Sequence, residues 1–500
     1  MAQVPLFIQA KRNNDMDKKV SSNLAVNLST KLLINNQDVE GSGEWLRVVN
    51  PATEELVAEF RGASVPQVEA AVMAAKRAFQ RPAWQDPAMR KAVLLKFAAL
   101  IEEHRDALME ALIEEIGTPI NLKSNHVDTP VAFLRWFAEQ ATQDRTRQLG
   151  FNPAHTGVST VYYRPVGVVA AISAFNYPLL IGLTKIGAAL AMGCTTVLLS
   201  SPLAPMAVML LNDLVRRAGF PEGVVNILAG AADVGRALTS HPDVDKVSFT
   251  GSVAVGQSVL QQASQGLRGA VLELGGKSAA IMLPGVNYEQ YAFSLHARYA
   301  RNAGQGCGSP TRILVEESRY AEFLQASQQA YPKITVGDPR DPATIVGPVI
   351  TSAQRDRIEA MLGRATAQKG TIVAGGGRPA MRKGWFINPA LVGGLDNQSE
   401  LAREEVFGPV SVVLTYRSVE EAIQIANDSE LGLKAYLFGT KDQCLKLVPQ
   451  LRVGTVQING GSPLRPDAPM TGCKLSGLGS EWGLDGLREF LVPQHIDCAI

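Results

Sequence analysis

The fold of this chain is decided by residues 167–200, which read GVVAAISAFNYPLLIGLTKIGAALAMGCTTVLLS. The stretch opens with a short apolar run, 167–173, of the kind that forms a buried β-strand. A helical pattern follows from Leu179 to Met192, and a second apolar run occupies 195–200. This change of period, together with Lys185 in the middle, indicates the buried core of a globular protein and argues against a membrane span.

The same alternation continues towards the C-terminus. The runs VVNILAG, KVSFTG and AVLELGG, at 224–230, 246–251 and 270–276, are apolar and separated by helical patterns. Strands that are apolar on both faces and alternate with helices predict a parallel sheet covered on both sides. A second α/β block is expected from about Gly276 to Ser476. Ligands of such sheets bind at the carboxyl ends of the strands.

Composition excludes several classes of protein. Five hundred residues, 46% apolar and 19% charged, predict a globular chain of two or three domains. A net charge of +1 without a basic cluster argues against nucleic-acid binding. The five cysteines are scattered and form no C-x-x-C pair, and the histidines are isolated. We therefore expect no metal site and no disulfide framework, and a cytoplasmic location is the default, since no signal-peptide core is present.

Three local features suggest chemistry, and each has a simpler explanation. Cys307 lies in GQGCGSP, where glycines leave a thiol approachable, although a lone cysteine is usually an inert core residue. Glu273 stands in an apolar strand, either as a desolvated base or as the partner of a buried cation. Gly251–Gly256 follows a strand and opens a helix, which suits a phosphate but also any tight βα turn.

These features meet in one resemblance. From about Lys31 to its C-terminus the chain resembles the aldehyde dehydrogenase superfamily. It carries six of that family's motifs in order: AFNYP (174–178), FTGSxxxG (249–256), LELGGK (272–277), GQxC (304–307), EEVFGP (404–409) and PMTGCKLSGLG (469–479). The resemblance implies a Rossmann-like cofactor domain, an α/β catalytic domain and a small β oligomerisation element.

The resemblance also implies the domain boundaries. We expect an N-terminal tail at 1–30, a cofactor-binding domain at 31–140 and 163–275, and a catalytic domain at 276–475. The oligomerisation element would comprise 141–162 and 476–500. A homodimer or homotetramer follows from the same resemblance.

The family mechanism, placed on this chain, assigns a role to each motif. Cys307 attacks an aldehyde to give a thiohemiacetal, whose oxyanion is held by the Asn176 amide and the Cys307 N–H. Hydride passes to the nicotinamide of NAD or NADP, leaving a thioester, and Glu273 activates the water that hydrolyses it. The cofactor-binding residues implied by the resemblance are Ser173, Phe175, Gly251, Ser252, Gly256, Leu274, Gly275, Glu405 and Phe407.

The sequence departs from the family at the adenosine site. Relatives commonly carry K-P-[SA]-E after the second strand of the sheet, whereas this chain has Leu199 and Pro202 at the Lys and Glu positions. Neither side chain forms hydrogen bonds, so we predict weaker cofactor binding or a relaxed choice between NAD and NADP, with NAD slightly preferred. Ser200 and Ser201 are candidates for a partial substitute.

The substrate is defined only as a small-molecule aldehyde. Gly306 and Gly308 suggest room for a bulky aldehyde beside the nucleophile, and Leu464 and Met470 replace the aromatic residues that usually line the tunnel. Arg301 and Arg465 would suit a semialdehyde carboxylate, although a structural ion-pair role is favoured for both.

Two rival functions remain at this level. A dehydrogenase that passes its acyl group to coenzyme A is disfavoured by Glu273, because such relatives generally lack that base. A non-catalytic scaffold would account for the altered adenosine site but not for retention of Asn176, Glu273 and Cys307.

Overall fold

In a computed structural model that describes residues 30–461 and 464–499, two large sheets are each covered by helices on both faces. The predicted α/β class is therefore confirmed. The expected tail, 1–30, lies outside the described residues except for Thr30.

The first sheet contains the strands of the opening stretch. Its order is Gln37–Val39, Leu32–Ile34, Val225–Ala229, Thr195–Ser200, Val168–Ile172, Lys246–Thr250, Gly269–Glu273 and Gly477–Leu478. The strands from Val225–Ala229 to Gly269–Glu273 are parallel, so their carboxyl ends share one edge. Thr195–Ser200 is buried along its whole length, as its apolar and β-branched residues predict.

The second sheet follows directly from the first. Only residues 274–277 separate Glu273 from the strand Ser278–Met282. The order is Thr371–Gly375, Ala390–Gly393, Val410–Tyr416, Pro310–Glu316, Ser278–Met282, Lys434–Phe438 and Thr455–Ile458. All neighbours are parallel except the first pair.

A third, antiparallel sheet lies apart from these two. It joins Leu491–Ala499, Gly157–Pro165 and Arg147–Phe151. Residues 477–478 pair with the first sheet, and Leu487 and Phe490 pack into its core. The short pairs are Trp45–Val49 with Leu56–Arg61, Leu431–Gly432 with Cys473–Lys474, and Met470–Thr471 with Ser480–Glu481.

Helices fill the connections. Those packed around the first sheet are Val65–Phe79, Pro82–Gln85, Pro87–Glu103, Arg105–Ile116, Thr129–Gln140, Pro178–Ala191, Met206–Met209, Leu211–Ala218, Ala232–Ser240, Val253–Ser264 and Gly483–Arg488. The others are Tyr288–Ala300, Tyr320–Ala330, Ser352–Ala367, Glu400–Arg403, Val419–Asn427 and Lys441–Leu447.

The helix predicted from Leu179 begins at Pro178, a favourable residue for a first turn because its missing N–H has no helical partner there. No helix within 30–461 and 464–499 is long and apolar enough to cross a membrane.

Candidate active site

The site lies where the two sheets face each other. The carboxyl ends of the first sheet's strands present Ser173, Thr250 and Glu273. The amino ends of the second sheet's strands present Cys307, three residues before Pro310, and Glu405, five residues before Val410. Ligands are expected at the carboxyl ends of the strands, and this holds for the side of the site that the first sheet forms. The other side is formed by the amino ends of the second sheet's strands.

Cys307 is held by a loop with unusual backbone geometry. Asn302, Ala303 and Gly304 have φ of 52°, 53° and 73°, in the left-handed region that disfavours side chains. A Cβ on Gly304 would lie 2.0 Å from the carbonyl carbon of Gly408, so glycine is required there by contact as well as by conformation. This strained turn brings the cysteine loop against the EEVFGP segment.

Asn176 is fastened to the same loop. Its Nδ2 donates to the Gln305 carbonyl at 2.9 Å, and Asn302 Nδ2 donates to the Asn176 carbonyl at 2.9 Å. Gln305 is itself fixed, since its Oε1 accepts from the Ile350 N–H at 3.0 Å. An amide carries two N–H groups, so Asn176 keeps one donor for another acceptor. The Cys307 N–H donates to no described residue.

The Cys307 thiol is protonated near neutral pH. Burial raises its pKa to about 12; Lys434 and the Gly308 N–H oppose this, while Glu273 and Glu405 add to it. Burial, together with the two carboxyl groups, therefore outweighs the lysine and the single N–H.

Glu273 is buried with both carboxylate oxygens lacking a hydrogen-bond partner among the described residues. Its pKa is raised to about 8. Burial is the main cause and Glu481 contributes in the same direction, whereas Lys185 and Lys434 act to lower the pKa. A carboxyl that is desolvated, unpaired and close to ionisation at neutral pH fits a general base better than a structural ion pair.

Sequence reasoning missed the pair behind Glu273. Lys185 and Glu481 form a buried ion pair, and Lys185 Nζ also donates to Ser248 Oγ at 3.1 Å. In the sequence, Lys185 stands out only as a polar interruption in an apolar stretch. No sequence signal identifies Glu481 as its partner, since the two residues are 296 positions apart.

Sequence reasoning also missed Lys434, whose side chain passes over Gly308. A Cβ on Gly308 would lie 2.7 Å from Lys434 Cδ, so the space expected there for substrate is occupied. Gly306 differs, because a Cβ there would meet only Ser309 Oγ, at 3.0 Å.

The first sheet's edge fits a nucleotide. Ser252 caps the helix Val253–Ser264, its Oγ accepting from the Val255 N–H at 3.4 Å. Gly256 packs on Leu274, where a Cβ would come within 2.5 Å of a methyl carbon. The hydroxyls of Ser173 and Thr250 are buried without a partner among the described residues, as expected of groups that await a polar ligand.

The second sheet contributes Glu405 and Phe407. Glu405 Oε1 accepts from the Gly276 N–H at 3.1 Å, and a Cβ on Gly275 would lie 2.4 Å from the other carboxylate oxygen. Burial raises the pKa of Glu405. Phe407, with φ of 51°, meets Phe175 edge to face at 5.7 Å between ring centroids. Residues of the predicted cofactor set thus converge from both sheets.

The altered adenosine positions offer little polar replacement. Leu199 is buried in the apolar core between the sheet and its helices. Ser200 Oγ is buried and donates to the Leu228 carbonyl at 3.2 Å, so it is not free for a ribose. Ser201 Oγ accepts from the Leu203 N–H at 3.3 Å.

The two arginines that would suit a carboxylate behave differently. Arg465 is exposed and pairs with Asp467, with an N–O distance of 2.6 Å, in agreement with the structural interpretation. Arg301 is exposed, and it influences the pKa of Tyr177 and Tyr436, which border the cysteine loop. Leu464 packs on the edge of the first core and Met470 is buried.

Within residues 30–461 and 464–499, no group of three or more His, Cys, Asp or Glu side chains is arranged to hold a metal ion.

Comparisons with known proteins agree with this architecture. The sequence profile described as "Aldehyde dehydrogenase family" matches residues 39–496. Geranial dehydrogenase of Castellaniella defragrans is 36% identical over 475 residues, covering 92% of this chain and 98% of that protein.

Two solved structures also superpose closely. The NAD+ complex of a Bacillus cereus aldehyde dehydrogenase has a TM-score of 0.91 at 31% identity, covering 95% of this chain and 97% of that one. Aldehyde dehydrogenase C of Pseudomonas syringae, solved with NAD+ and octanal, has a TM-score of 0.89 at 33% identity, covering 94% and 97%.

Proposed function

Because this chain belongs to the aldehyde dehydrogenase family, we propose that Cys307, Asn176 and Glu273 perform its oxidation of aldehydes. The protein is an NAD(P)-dependent aldehyde dehydrogenase. The observation that supports the assignment of residues is their convergence: Asn176 is hydrogen-bonded to the cysteine loop, and the unpaired Glu273 lies close enough to influence the thiol.

In the first step the Cys307 thiol loses its proton to solvent, its sulfur forms a carbon–sulfur bond with the aldehyde carbon, and the carbonyl oxygen becomes an oxyanion. The second N–H of Asn176 and the free N–H of Cys307 donate to it. Donors fixed in advance stabilise charge that develops during reaction, and one such donor contributes about 10²–10³ in rate.

NAD(P)+ supplies the hydride acceptor for the oxidation when bound. Ser252 and the amide groups at the start of its helix would face the pyrophosphate, and Glu405 would accept from the nicotinamide ribose. Gly275 borders that carboxylate, Leu274 packs on Gly256, and Phe175 contacts Phe407.

In the last step Glu273 takes a proton from water, whose oxygen attacks the thioester carbon. The carbon–sulfur bond breaks, the carboxylic acid leaves and the thiolate is restored. Since the pKa of Glu273 is about 8, this step accelerates as the pH rises towards that value.

The cofactor preference follows from the adenosine positions. Leu199 and Pro202 offer no hydrogen bond to either ribose hydroxyl, and no carboxylate there repels a 2′-phosphate. We propose weak binding of both forms, with NAD slightly preferred.

The same proposal includes a division of the chain into three parts. These are a cofactor domain at 31–140 and 163–275, a catalytic domain at 276–475 and an oligomerisation element at 141–162 and 476–500. The exposed apolar side chains Leu149, Phe151, Tyr162, Val492 and Ile496 on the third sheet support its role in a homodimer or homotetramer. A cytoplasmic location is proposed on cysteine usage alone.

The test is a calorimetric titration with NAD+ and then NADP+, followed by aldehyde oxidation with the better cofactor. Octanal and geranial belong in the panel because they appear with the similar proteins. We expect cofactor reduction that requires no coenzyme A and is abolished in Cys307→Ala. Product formation that depends on coenzyme A would instead support the acylating alternative, and absence of cofactor binding would support a scaffold.

A further inference from the structure

Lys434 occupies an unusual place beside the nucleophile. It is the first residue of the strand Lys434–Phe438, at the edge of the second sheet that faces the cleft. A Cβ on Gly308 would lie 2.7, 3.1 and 3.4 Å from Lys434 Cδ, Cε and Nζ. The stem of the lysine therefore packs on the backbone of the residue that follows Cys307, and the missing side chain of Gly308 makes the room.

The ammonium group of Lys434 has no structural partner to explain it. Within the described residues it forms no ion pair and donates no hydrogen bond, although the side chain is half-buried. The buried Lys185 differs, since it pairs with Glu481. Partly burying a cation without a partner costs free energy, so such a group is expected near a site that acquires negative charge.

The charged surroundings identify that site. Burial lowers the pKa of Lys434, Cys307 and Glu273 raise it, and Arg298 lowers it. The titratable and charged groups that face Cys307 and Lys434 from the packed elements are Glu273, Glu405, Tyr177, Tyr436 and Arg298.

Among the groups that act on the Cys307 thiol, Lys434 is the one cation within the described residues, and it opposes two carboxyl groups. Without it, only the Gly308 N–H would oppose the effect of the two carboxyl groups on the thiolate.

We propose that Lys434 is a positioning residue for the nucleophile, whose ammonium stabilises the Cys307 thiolate through space, and that this same charge favours ionised Glu273. The inference rests on the proposed role of Cys307. It predicts that removing the Lys434 charge weakens both the attack of Cys307 on the aldehyde and the later activation of water by Glu273. The proton that the thiol releases goes to solvent.

The experiment measures alkylation of Cys307 by iodoacetamide in full-length, cofactor-free protein from pH 6 to 10. Peptide mass spectrometry separates Cys307 from the other four cysteines. Lys434→Met keeps the stem on Gly308 but removes the charge, and Lys434→Arg keeps the charge. Lys441→Met, at an exposed lysine of the next helix, controls for the loss of one positive charge.

We expect Lys434→Met to slow alkylation about threefold or more at pH 7.5. Losing a nearby opposite charge raises a pKa by about one unit or more, which cuts the thiolate fraction about tenfold, while the more basic thiolate reacts about threefold faster. Lys434→Arg and Lys441→Met should follow the wild type. In steady-state kinetics, Lys434→Met should also move the acid limb of kcat to higher pH, because Lys434 lowers the pKa of Glu273.

A wild-type alkylation rate and an unmoved acid limb in Lys434→Met would overturn the inference while leaving the proposed function intact. The same holds if Lys434→Arg is as slow as Lys434→Met, since packing rather than charge would then be responsible. If Lys434→Met does not fold, Lys434→Gln provides the uncharged variant under the same criteria. If aldehyde oxidation survives in Cys307→Ala, the nucleophile assignment fails, and this inference fails with it.

Discussion

Replacing Glu273 with Gln should abolish product release while making the folded protein more stable. The carboxyl group is buried, and neither oxygen has a hydrogen-bond partner among the described residues. Gln is nearly the same size and equally polar, but it does not ionise. The substitution therefore isolates the cost of keeping an ionisable group in this position.

The magnitude follows from the pKa of Glu273, which is raised from 4.5 to about 8. Between these values the folded protein retains a proton that the unfolded chain has lost, so the stability of the wild type falls as the pH rises through this window. Each pH unit contributes about 1.4 kcal/mol. The Glu273→Gln variant avoids this cost, which amounts to less than about 1 kcal/mol at pH 5, about 3 kcal/mol at pH 7 and about 4 kcal/mol at pH 8.

The assay is thermal unfolding of both proteins at pH 5, 6, 7 and 8. An unfolding entropy of about 2.1 cal/mol/K per residue makes 1 kcal/mol equal to about 1 °C in Tm for a cooperative chain of this length. Glu273→Gln should therefore gain less than about 1 °C at pH 5 and about 3 °C at pH 7. In parallel, rapid mixing with aldehyde and cofactor should give one burst of reduced cofactor followed by little turnover, because the thioester persists.

A difference in Tm that does not change with pH would refute the reasoning, since burial would then not hold the proton on Glu273. A lower Tm for Glu273→Gln at pH 8 would refute it more directly. Sustained turnover without the carboxylate would instead show that another group activates the water.

Three further predictions follow from the site. Asn176→Ala should lower kcat by about 10²–10³ by removing an oxyanion donor, measured by steady-state kinetics at saturating aldehyde; an unchanged kcat would exclude this role. Gly304→Ala should lower both Tm and activity, because its Cβ would lie 2.0 Å from Gly408, whereas Gly306→Ala should leave Tm nearly unchanged. Glu481→Gln should move the acid limb of kcat to lower pH, because Glu481 raises the pKa of Glu273; a shift in the opposite direction would contradict the charge assignment.

Much of the fold follows from local pattern. The runs at 168–172, 195–200 and 246–250 are strands, and the helix between the first two begins within one residue of its expected start. These strands are predictable because most of their residues are apolar or β-branched, which is typical of strands buried on both faces. The glycines of LELGGK are explained only by the folded structure, since Glu405 and the Cys307 carbonyl approach Gly275 and Gly276 too closely for side chains.

The site is only partly readable in this way. Cys307, Glu273 and Asn176 can be selected from the sequence because each stands in a distinctive local setting. Their protonation cannot, because a pKa depends on enclosure and on charges brought from distant segments. The glycines beside Cys307 suggest an approachable thiol, but only the folded structure shows that burial, with two carboxyl groups nearby, raises its pKa to about 12.

The sequence by itself therefore determined the strand and helix order, the family and the residues that stand in motifs. Only the tertiary structure decided which groups act on one another: it paired Lys185 with Glu481 and left Glu273 unpaired beside them. It also filled the space at Gly308 with Lys434. The physical reason is that hydrophobic periodicity is a local property of the chain, whereas electrostatic and packing contacts depend on distances that exist only after residues hundreds of positions apart have come together.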